Sequence, residues 1–306
     1  MKVLFVCSGN KSKNKPGVVV QNQANTLIKK GVSVNFYLIN NKGFIGYIRA
    51  IIPLVVQIKK GNYSVIHAHY SLSGYVAGIA KLFTQKTKLI VSLMGSDTQG
   101  SRVKLNLIHA FAKYIWDETI VKSQSMIKNI EFKNVNIIPN GVDLDTIVGD
   151  PKLKNRNSTI LFPANPSRIS KNHPLAKASV ALLGDEHAGL KVMYNRPHSE
   201  IIDALKNCGC VLLTSKWEGS PNIIKEAMAC NTPIVATRVG DVEQLLDGLD
   251  GCFLTQSDVD SVSKAIKKAL LYSQEHVHTK GRDRLIDLQI TSDLIAGKII
   301  KLYEPS

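Results

Sequence analysis

Two glutamates, Glu218 and Glu226, lie eight positions apart on either side of a short polar loop. The first precedes a predicted helix and the second lies inside it. Carboxylates accept hydrogen bonds from sugar hydroxyls. Two carboxylates that flank a helix start therefore suit a ligand that carries hydroxyl groups at both of its ends.

The loop between the two glutamates has the residues that begin a helix. We predict that Ser220 caps this helix and that Pro221 takes its first position, where a missing N–H costs nothing. The start of a helix is positive, and its free amides suit phosphate oxygens. The predicted amide donors are those of Gly219, Ser220 and Asn222. A ligand with hydroxyls, then phosphates, then hydroxyls has the layout of a nucleotide-sugar.

Two predicted strands hold this loop in place. Residues 211–214 form a short apolar run, typical of a strand buried on both faces of a parallel sheet. The helix is predicted from Asn222 to about Cys230, and a second apolar strand at 234–236 leads to Gly240. The polar loop then lies at the carboxyl end of a strand, which is where ligands bind in open α/β sheets.

Residues 215–237, S-x-W-E-G-S-P-N-x-x-K-E-A-M-A-C-x-x-P-I-V-A-T, resemble the donor-site signature of the retaining group 1 (family four) glycosyltransferases. In that family the first glutamate contacts the transferred sugar and the second contacts the ribose. The resemblance implies the GT-B fold, an α/β architecture of two Rossmann-like domains facing across a cleft. It also implies a UDP- or GDP-type sugar donor and retention of configuration. The alternative for the two glutamates is a capped surface helix with solvated carboxylates.

A basic loop precedes this segment, at residues 163–172 after a predicted strand at 158–162. It resembles the basic donor loop of the same family, with Arg168 and Lys171 as its cations. Arginine binds phosphate bidentately and lysine binds it as a point charge. The resemblance implies that both stabilise the leaving diphosphate, with Glu218 as the third catalytic residue, and that Arg196 helps to bind the donor. The alternative is an ordinary basic turn.

The first half of the chain is predicted to bind the acceptor. Its opening strand, loop, helix and strand lack G-x-G-x-x-G and a closing acid, which disfavours a dinucleotide-binding oxidoreductase. We assign Gly9 and Gly17 of this loop to the acceptor side, together with His69 and Asp97. Many relatives read H-G-x-D where this chain has Met94 to Asp97, so the family's usual histidine role is not carried over.

The positive charge lies entirely in the first half. Residues 1–142 hold 19 basic and 4 acidic residues, whereas residues 143–306 hold 20 of each. A basic domain beside a neutral one implies an anionic partner. We predict a glycan or lipid-linked acceptor and peripheral contact with an anionic membrane. We predict no nucleic acid, because the basic residues lack the interleaved aromatics of RNA recognition.

Two basic segments are candidates for that membrane contact. Lys11, Lys13 and Lys15 lie on one loop, for which a solubilising role is the alternative to anion binding. Residues 43–60 form an apolar helix with basic residues, and we expect Pro53 to kink it. We favour a core helix there, with an interfacial element that presents Phe44, Tyr47 and several isoleucines beside cations as the alternative.

The domain boundary is predicted at I-P-N-G-V-D, residues 138–143, where turn-forming residues coincide with the change in charge. This segment resembles the one that joins the two GT-B domains. The expected units are residues 1–142 for the acceptor, 143–285 for the nucleotide-sugar, and 286–306 for a final helix, predicted from Asp287 to Tyr303. The resemblance implies that this last helix crosses back to the first domain.

No metal or other cofactor is expected. The strings Asp143-Leu-Asp145 and Asp258-Val-Asp260 match D-x-D, but one is in the linker and the other begins a helix. Five scattered cysteines, no recognisable signal peptide and no bilayer-spanning run favour a cytoplasmic protein at the inner face of the membrane. We expect a role in cell-surface polysaccharide or glycolipid synthesis.

Three other functions stay open from the sequence. A GT-B epimerase or hydrolase would use the same donor without an acceptor. A basic binding protein would use the charge alone. A catalytically silent partner subunit is disfavoured because Glu218 and Glu226 are both intact.

Overall fold

A computed structural model describes residues 1–9, 14–40, 43–84, 87–99, 101–127, 133–184 and 189–304, without the side chain of Phe44. The predicted roles of Lys11 and Lys13, and of the Phe44 side chain, lie outside the described residues. The chain forms two compact units. Unit 1 is Met1–Gly141 with Ser292–Ser306, and unit 2 is Val142–Thr291.

The sheet of unit 1 has six parallel strands in the part of the chain that is described. Their bounds are β1 Lys2–Ser8, β2 Ser33–Ile39, β3 Val65–His69, β4 Lys88–Ser92, β5 Glu118–Val121 and β6 Val135–Ile137. The strand order is β2-β1-β3-β4-β5-β6. The central strands are apolar and buried, as expected for a parallel sheet covered on both faces.

The sheet of unit 2 has five parallel strands among the described residues. Their bounds are β7 Ile160–Phe162, β8 Leu190–Val192, β9 Cys210–Leu213, β10 Ile234–Thr237 and β11 Cys252–Thr255. The strand order is β11-β10-β9-β7-β8. Each unit has its own hydrophobic core between its sheet and its helices.

Helices connect the strands in both units. In chain order they are α1 Val18–Lys29, α2 Gly43–Arg49, α3 Ile51–Gly61, α4 Ser71–Leu82, α5 Arg102–Tyr114, α6 His173–Ala181, α7 His198–Asn207, α8 Asn222–Ala229, α9 Val242–Leu246, α10 Val259–Glu275, α11 Gly281–Asp287 and α12 Ser292–Tyr303. The alternation of strand and helix throughout the chain is that of an α/β protein.

The helix predicted over residues 43–60 is interrupted, as its proline suggested. Helix α2 ends at Arg49, four positions before Pro53, and Pro53 lies in the first turn of α3. A proline is tolerated there because the amides of a first turn need no partner within the helix. Tyr47 is half-buried against the core of unit 1, so it does not present its ring as the interfacial alternative expected.

The predicted final helix is also different from the observed one. Helix α11 ends at Asp287 within unit 2, and helix α12 begins at Ser292 in unit 1. Helix α12 packs against α1. The hydroxyl of Tyr303 on α12 lies 2.6 Å from Nδ1 of His67 on β3, and Nε2 of the same ring lies 2.8 Å from Oγ of Ser92. This buried network attaches α12 to the sheet.

Candidate active site

The order of strands in unit 2 marks one place on the sheet edge. From β7 the chain passes to β8 on one side and then returns to β9 on the other side. Loops that follow β7 and β9 therefore leave the sheet side by side at the carboxyl edge. Such a topological switch point is the usual ligand site of an open α/β sheet.

Lys171 and Glu218 meet at this switch point. Lys171 follows β7 and Glu218 follows β9, and their side chains form an ion pair. Ser215 Oγ donates a hydrogen bond of 2.7 Å to the same Glu218 oxygen, Oε1. Each side chain of the pair keeps 16% of its surface exposed, so a ligand has access to both charges.

Backbone contacts fix the loop that carries Lys171. The amide of Lys216 donates to the carbonyl of Ser170 at 2.8 Å. Thr214 Oγ1 donates to the carbonyls of Lys171 and Asn172, both at 3.0 Å. Asn172 has φ of +50°, a left-handed conformation that asparagine tolerates better than most residues. These hydrogen bonds join the loop after β7 to the loop after β9, which holds the ammonium of Lys171 against the carboxylate of Glu218.

Gly240 closes the opposite side of the Glu218 loop. Its φ is +61°, and a Cβ placed on it would lie 2.3 Å from the carbonyl oxygen of Gly219. Both facts require glycine, one because of the left-handed backbone and the other because of the close approach. The sequence indicated Gly240 only as the end of a strand. The structure shows that its lack of a side chain lets the loop with Glu218 and Gly219 pack directly against it.

The predicted cap of α8 is wrong. Pro221 is the N-cap residue rather than the first helical residue, and no side chain among the described residues caps the helix. Ser220 Oγ instead accepts a hydrogen bond of 3.0 Å from the ammonium of Lys225. Lys225 is fully buried, so its charge needs polar partners, and this need outweighs the local preference of serine for the cap.

Lys225 lies between two carboxylates. Burial lowers the pKa of Lys225 to about 8, while the nearby Asp241 and Glu226 act in the opposite direction. Burial likewise raises the pKa of Asp241, and Lys225 partly offsets this effect. Lys225 was not predicted as a site residue, although its spacing of three and four positions from Met228 and Ala229 places it on the core side of α8.

Glu226 is paired with a histidine. Its Oε1 lies 3.0 Å from Nε2 of His198, the first residue of α7. The hydrogen bond to Glu226 raises the pKa of His198, and burial partly offsets this shift. In this loop only Arg196 was predicted to bind the donor. The pairing of His198 with Glu226 was missed because it joins residues 28 positions apart in the chain.

The two predicted arginines are outside these contacts. Arg168 and Arg196 are both exposed, and within the described ranges neither forms an ion pair with Glu218 or Glu226. Arg168 is nevertheless near Lys171, since its carbonyl accepts the Lys171 amide at 2.9 Å. The structure therefore brings together Glu218 and Lys171, and leaves both arginine side chains exposed.

Of the predicted acceptor residues, Gly9, Gly17 and His69 lie on the segments that follow or end β1 and β3, at the corresponding switch point of unit 1, and Asp97 follows the next strand, β4. Gly9 follows β1, and a Cβ on it would lie 2.1 Å from Oδ1 of Asn40. Gly17 precedes α1 and has open space around it. His69 ends β3, where it is buried and stacked on His67 with ring centroids 4.3 Å apart.

Two of these side chains are buried. Burial, and to a smaller extent Lys122, lower the pKa of His69 to about 3, and within the described residues its ring nitrogens have no hydrogen-bond partner. Asp97 is inaccessible as well, and it accepts hydrogen bonds from Ser71 Oγ at 2.5 Å and from the Met94 amide at 2.7 Å. Burial raises the pKa of Asp97 to about 6. Asp97 thus fixes the loop after β4 to the start of α4.

Two kinds of feature are absent from the described part of the chain, a metal-binding cluster and a membrane-spanning helix. No group of three or more His, Cys, Asp or Glu side chains there could hold a metal ion. No helix there is both long enough and apolar enough to cross a bilayer.

Comparison with known families gives the same assignment for both units. Residues 3–146 match the family model described as Glycosyltransferase Family 4, and residues 168–271 match the one described as Glycosyl transferases group 1. The chain is a glycosyltransferase. The predicted enzyme class is therefore confirmed.

Curated relatives of this glycosyltransferase act on sugars. The UDP-Gal:α-D-GlcNAc-diphosphoundecaprenol α-1,3-galactosyltransferase of Escherichia coli is 24% identical over 278 residues, which are 75% of this chain and 72% of that protein. The N-acetyl-α-D-glucosaminyl L-malate synthase of Bacillus anthracis is 20% identical over 286 residues, 80% of this chain and 74% of that protein.

Solved structures confirm the predicted GT-B fold. The sucrose-phosphate synthase of Thermosynechococcus elongatus superposes with a TM-score of 0.80 at 15% identity, covering 99% of this chain and 98% of that one. Anabaena HepE in complex with UDP-glucose superposes with a TM-score of 0.79 at 16% identity, covering 99% of each chain. At this identity the likeness concerns the fold alone.

Proposed function

We propose that this glycosyltransferase moves a sugar from a nucleotide-sugar to a lipid-linked or glycan acceptor with retention of configuration. The observation that carries the proposal is the Lys171–Glu218 ion pair with Ser215 at the switch point of unit 2. A carboxylate for sugar hydroxyls and an ammonium for phosphate stand side by side there. The names of the relatives support a UDP-sugar as the donor, because one uses UDP-Gal and HepE binds UDP-glucose.

The proposed chemistry needs stabilisation of charge on both sides of the bond that breaks. When the sugar leaves the diphosphate, positive charge develops at the sugar carbon and negative charge on the phosphate oxygens. Lys171, the exposed Arg168 and the start of α8 would stabilise the phosphates. Glu218 would orient the sugar. Without a ligand, Glu218 is the anionic partner of Lys171, and a diphosphate would provide the ammonium with a second one.

The nucleoside would bind beside this pair. Glu226 would accept hydrogen bonds from the ribose hydroxyls, and the loop with Arg196 would lie toward the base. UDP is favoured over GDP by the names of the relatives. His198 already occupies one Glu226 oxygen, so this histidine would share the carboxylate with the ribose.

For the acceptor we propose the switch point of unit 1, with Gly9, Gly17, His69 and Asp97 around it. Gly9 and Gly17 would allow close approach, whereas the buried His69 and Asp97 would shape the site from beneath. The E. coli relative acts on a diphosphoundecaprenol sugar, which supports a lipid-linked acceptor. We place the enzyme in the cytoplasm at the inner membrane face, in polysaccharide or glycolipid synthesis.

The test is a transfer assay with radiolabelled UDP-sugars and a diphosphoprenol-linked sugar. The wild type should form a product whose anomeric configuration, determined by NMR, matches that of the donor. Glu218→Gln and Lys171→Met should lower turnover at least a hundredfold, while Lys216→Met, an exposed neighbour, should not. Sugar release or epimerisation without any acceptor would instead support the hydrolase or epimerase alternative. Binding without turnover in any assay would contradict the proposal.

The proposed chemistry requires no metal, since side chains and a helix start meet the phosphate charge. Treatment with EDTA should therefore leave turnover unchanged. A loss that magnesium or manganese restores would contradict this part of the proposal. Buffer with EDTA already saturated with calcium is the control.

A further inference from the structure

The pair of helices α2 and α3 has one face in the core of unit 1. The buried members are Ala50, Leu54 and Ile58, which recur every four residues. Half-buried neighbours on the same side pack against that core, namely Tyr47, Ile51 and Val55. This face alone accounts for the packing of both helices.

The opposite face is also apolar. Ile45, Ile48, Ile52 and Val56 are 64%, 49%, 75% and 45% exposed. Ile45 and Ile48 lie three positions apart on α2, and Ile52 and Val56 lie four positions apart on α3, so each pair follows one side of its helix. We call these four residues the isoleucine stripe. Single exposed apolar residues are normal on a protein surface, but a contiguous row of them marks an interaction site.

Cations border the isoleucine stripe. Arg49, Lys59 and Lys60 are exposed, and in the helical repeat they fall on the same side as the stripe. The first acidic residue of the chain is Asp97, so none of the 96 residues before it can neutralise these charges. An exposed apolar row with basic edges fits a surface that is apolar within and anionic at its boundary.

We propose that the isoleucine stripe, with Arg49, Lys59 and Lys60, docks on the surface of an anionic lipid bilayer. The four apolar side chains would enter the boundary between headgroups and acyl chains, and the three cations would bind the phosphates. This deepens the proposed function, because a lipid-linked acceptor lies at such a surface. Of the interfacial alternative predicted for residues 43–60, it keeps the isoleucines and the cations and leaves out Tyr47, which packs against the core.

Charge complementarity favours a bilayer over a second copy of this chain. A copy would bring its own basic unit toward the stripe and its three cations would repel those of the first. An anionic bilayer instead offers phosphates at the depth of the cations and hydrocarbon at the depth of the isoleucines.

The chain contains a matched control on α10 of unit 2. Lys264, Lys267 and Lys268 are exposed there, and Leu271 is 55% exposed. The composition resembles that of the stripe, but α10 has one exposed leucine in place of four apolar residues. Acidic residues, Asp260 and Glu275, also lie within this helix.

The experiment is co-sedimentation of the whole chain with vesicles of phosphatidylcholine, with or without phosphatidylglycerol. The wild type should bind the anionic vesicles and release from them in high salt, because screening weakens the contacts of the cations. Lys59→Gln with Lys60→Gln should weaken binding roughly thirtyfold, at about 1 kcal/mol for each charge. Ile48→Ser with Ile52→Ser should weaken it roughly tenfold or more, at both salt concentrations.

The control pair is Lys267→Gln with Lys268→Gln, and Leu271→Ser is the apolar control; all three changes should leave vesicle binding within twofold of the wild type. Thermal unfolding checks that every variant is folded. Equal binding to neutral vesicles, no binding to either kind, or equal losses in the controls would overturn the proposal. A dimer in sedimentation velocity that Ile48→Ser with Ile52→Ser dissociates would assign the stripe to a protein contact instead.

Failure of this inference can be distinguished from failure of the proposed function. Binding of UDP is measured by calorimetry without vesicles, and all stripe variants should keep the wild-type affinity. If the enzyme transfers sugar normally but ignores vesicles, only the docking surface is wrong. If vesicles bind but no nucleotide does, the site of unit 2 is wrong and the docking surface stands.

Discussion

At the scale of single residues, the pair of Glu226 and His198 gives a direct test of the donor site. Glu226→Gln removes the carboxylate charge that raises the pKa of His198, so that pKa should fall. The same change should weaken UDP binding by about 1.5 to 3 kcal/mol, because a charged hydrogen bond to the ribose is lost. NMR titration and calorimetry measure the two effects. An unchanged affinity would contradict the ribose role, whereas the histidine shift stands independently.

Lys225 provides a prediction about stability. Lys225→Met should destabilise the protein by about 3 kcal/mol, since Asp241 loses its buried cation and Ser220 its donor. Urea unfolding gives the value. Lys216→Met, on the exposed loop nearby, should change stability by less than about 0.5 kcal/mol.

The same lysine gives a pH dependence with a definite sign. Its folded pKa of about 8 is below the value of an unfolded lysine, so the unfolded state binds more protons between about pH 8 and 10. Unfolding free energy from this group should therefore rise with pH through that range. Subtracting the Lys225→Met profile from the wild type isolates the effect. A flat difference would show that Lys225 is charged throughout.

The sequence predicted which residues belong to the site better than it predicted the contacts between them. Glu218 and Lys171 were both predicted, yet their pairing joins positions 47 apart and depends on the strand order. The cap at Ser220 was wrong because a local rule was applied without the buried lysine five positions later. Local preferences fail where a buried charge competes for the same side chain.

At the scale of elements, Arg156 joins the ends of two helices. Its buried guanidinium donates to the carbonyls of Lys206 at 2.9 Å and Asn231 at 3.0 Å, and also to those of Leu205, Cys208, Cys230 and Val277. Except for Val277, which follows α10, these carbonyls are at and beyond the C-termini of α7 and α8, which carry partial negative charge. Arg156 thus takes the place of a cap for two helices at once.

Arg156→Met should destabilise the protein by about 3 kcal/mol or more, because several buried carbonyls lose their donor together. Arg156→Lys should recover only part of the loss, since an ammonium has three donors and no planar fork. Thermal or urea unfolding measures both. Arg196→Met, an exposed arginine, is the control, and an equal effect there would contradict the capping role.

Strands were more predictable than helices for a physical reason. Parallel strands are buried on both faces, so a strand such as β9 reads as a plain apolar run. Helix α5 was missed because exposed apolar residues, Val103 and Leu107, obscure its periodicity. Its cap, Ser101, accepts from the amide of Lys104 at 3.4 Å and was the available signal.

At the scale of the whole molecule, unit 1 is assembled from both ends of the described chain. Tyr303→Phe removes the hydroxyl that partners the buried His67, which should cost about 1 to 3 kcal/mol. Hydrogen exchange should then quicken in α1, β3 and α12, and little in α10 of unit 2. Tyr272→Phe on α10 is the control, and exchange that quickens equally in both units would contradict this division.

The charge difference between the units was readable from composition alone, because it depends on no contact. The surface that would use this charge could not be predicted, because Ile45 and Ile52 form an exposed apolar surface only once Leu54 and Ile58 are buried in the core. Likewise, the return of α12 to unit 1 was implied by resemblance to a family. No local pattern in residues 292–303 identifies His67 as its partner.

The His67–Tyr303 contact also has a consequence for synthesis on the ribosome. The two residues are 236 positions apart, so at ordinary translation rates the histidine is made roughly 10 to 50 s before its tyrosine. All of unit 2 emerges during that interval. During that time the nascent first unit lacks α12. The Nδ1 atom of His67 has no tyrosine partner and the surface beneath α12 is uncovered, so a chaperone would have a defined segment to shield.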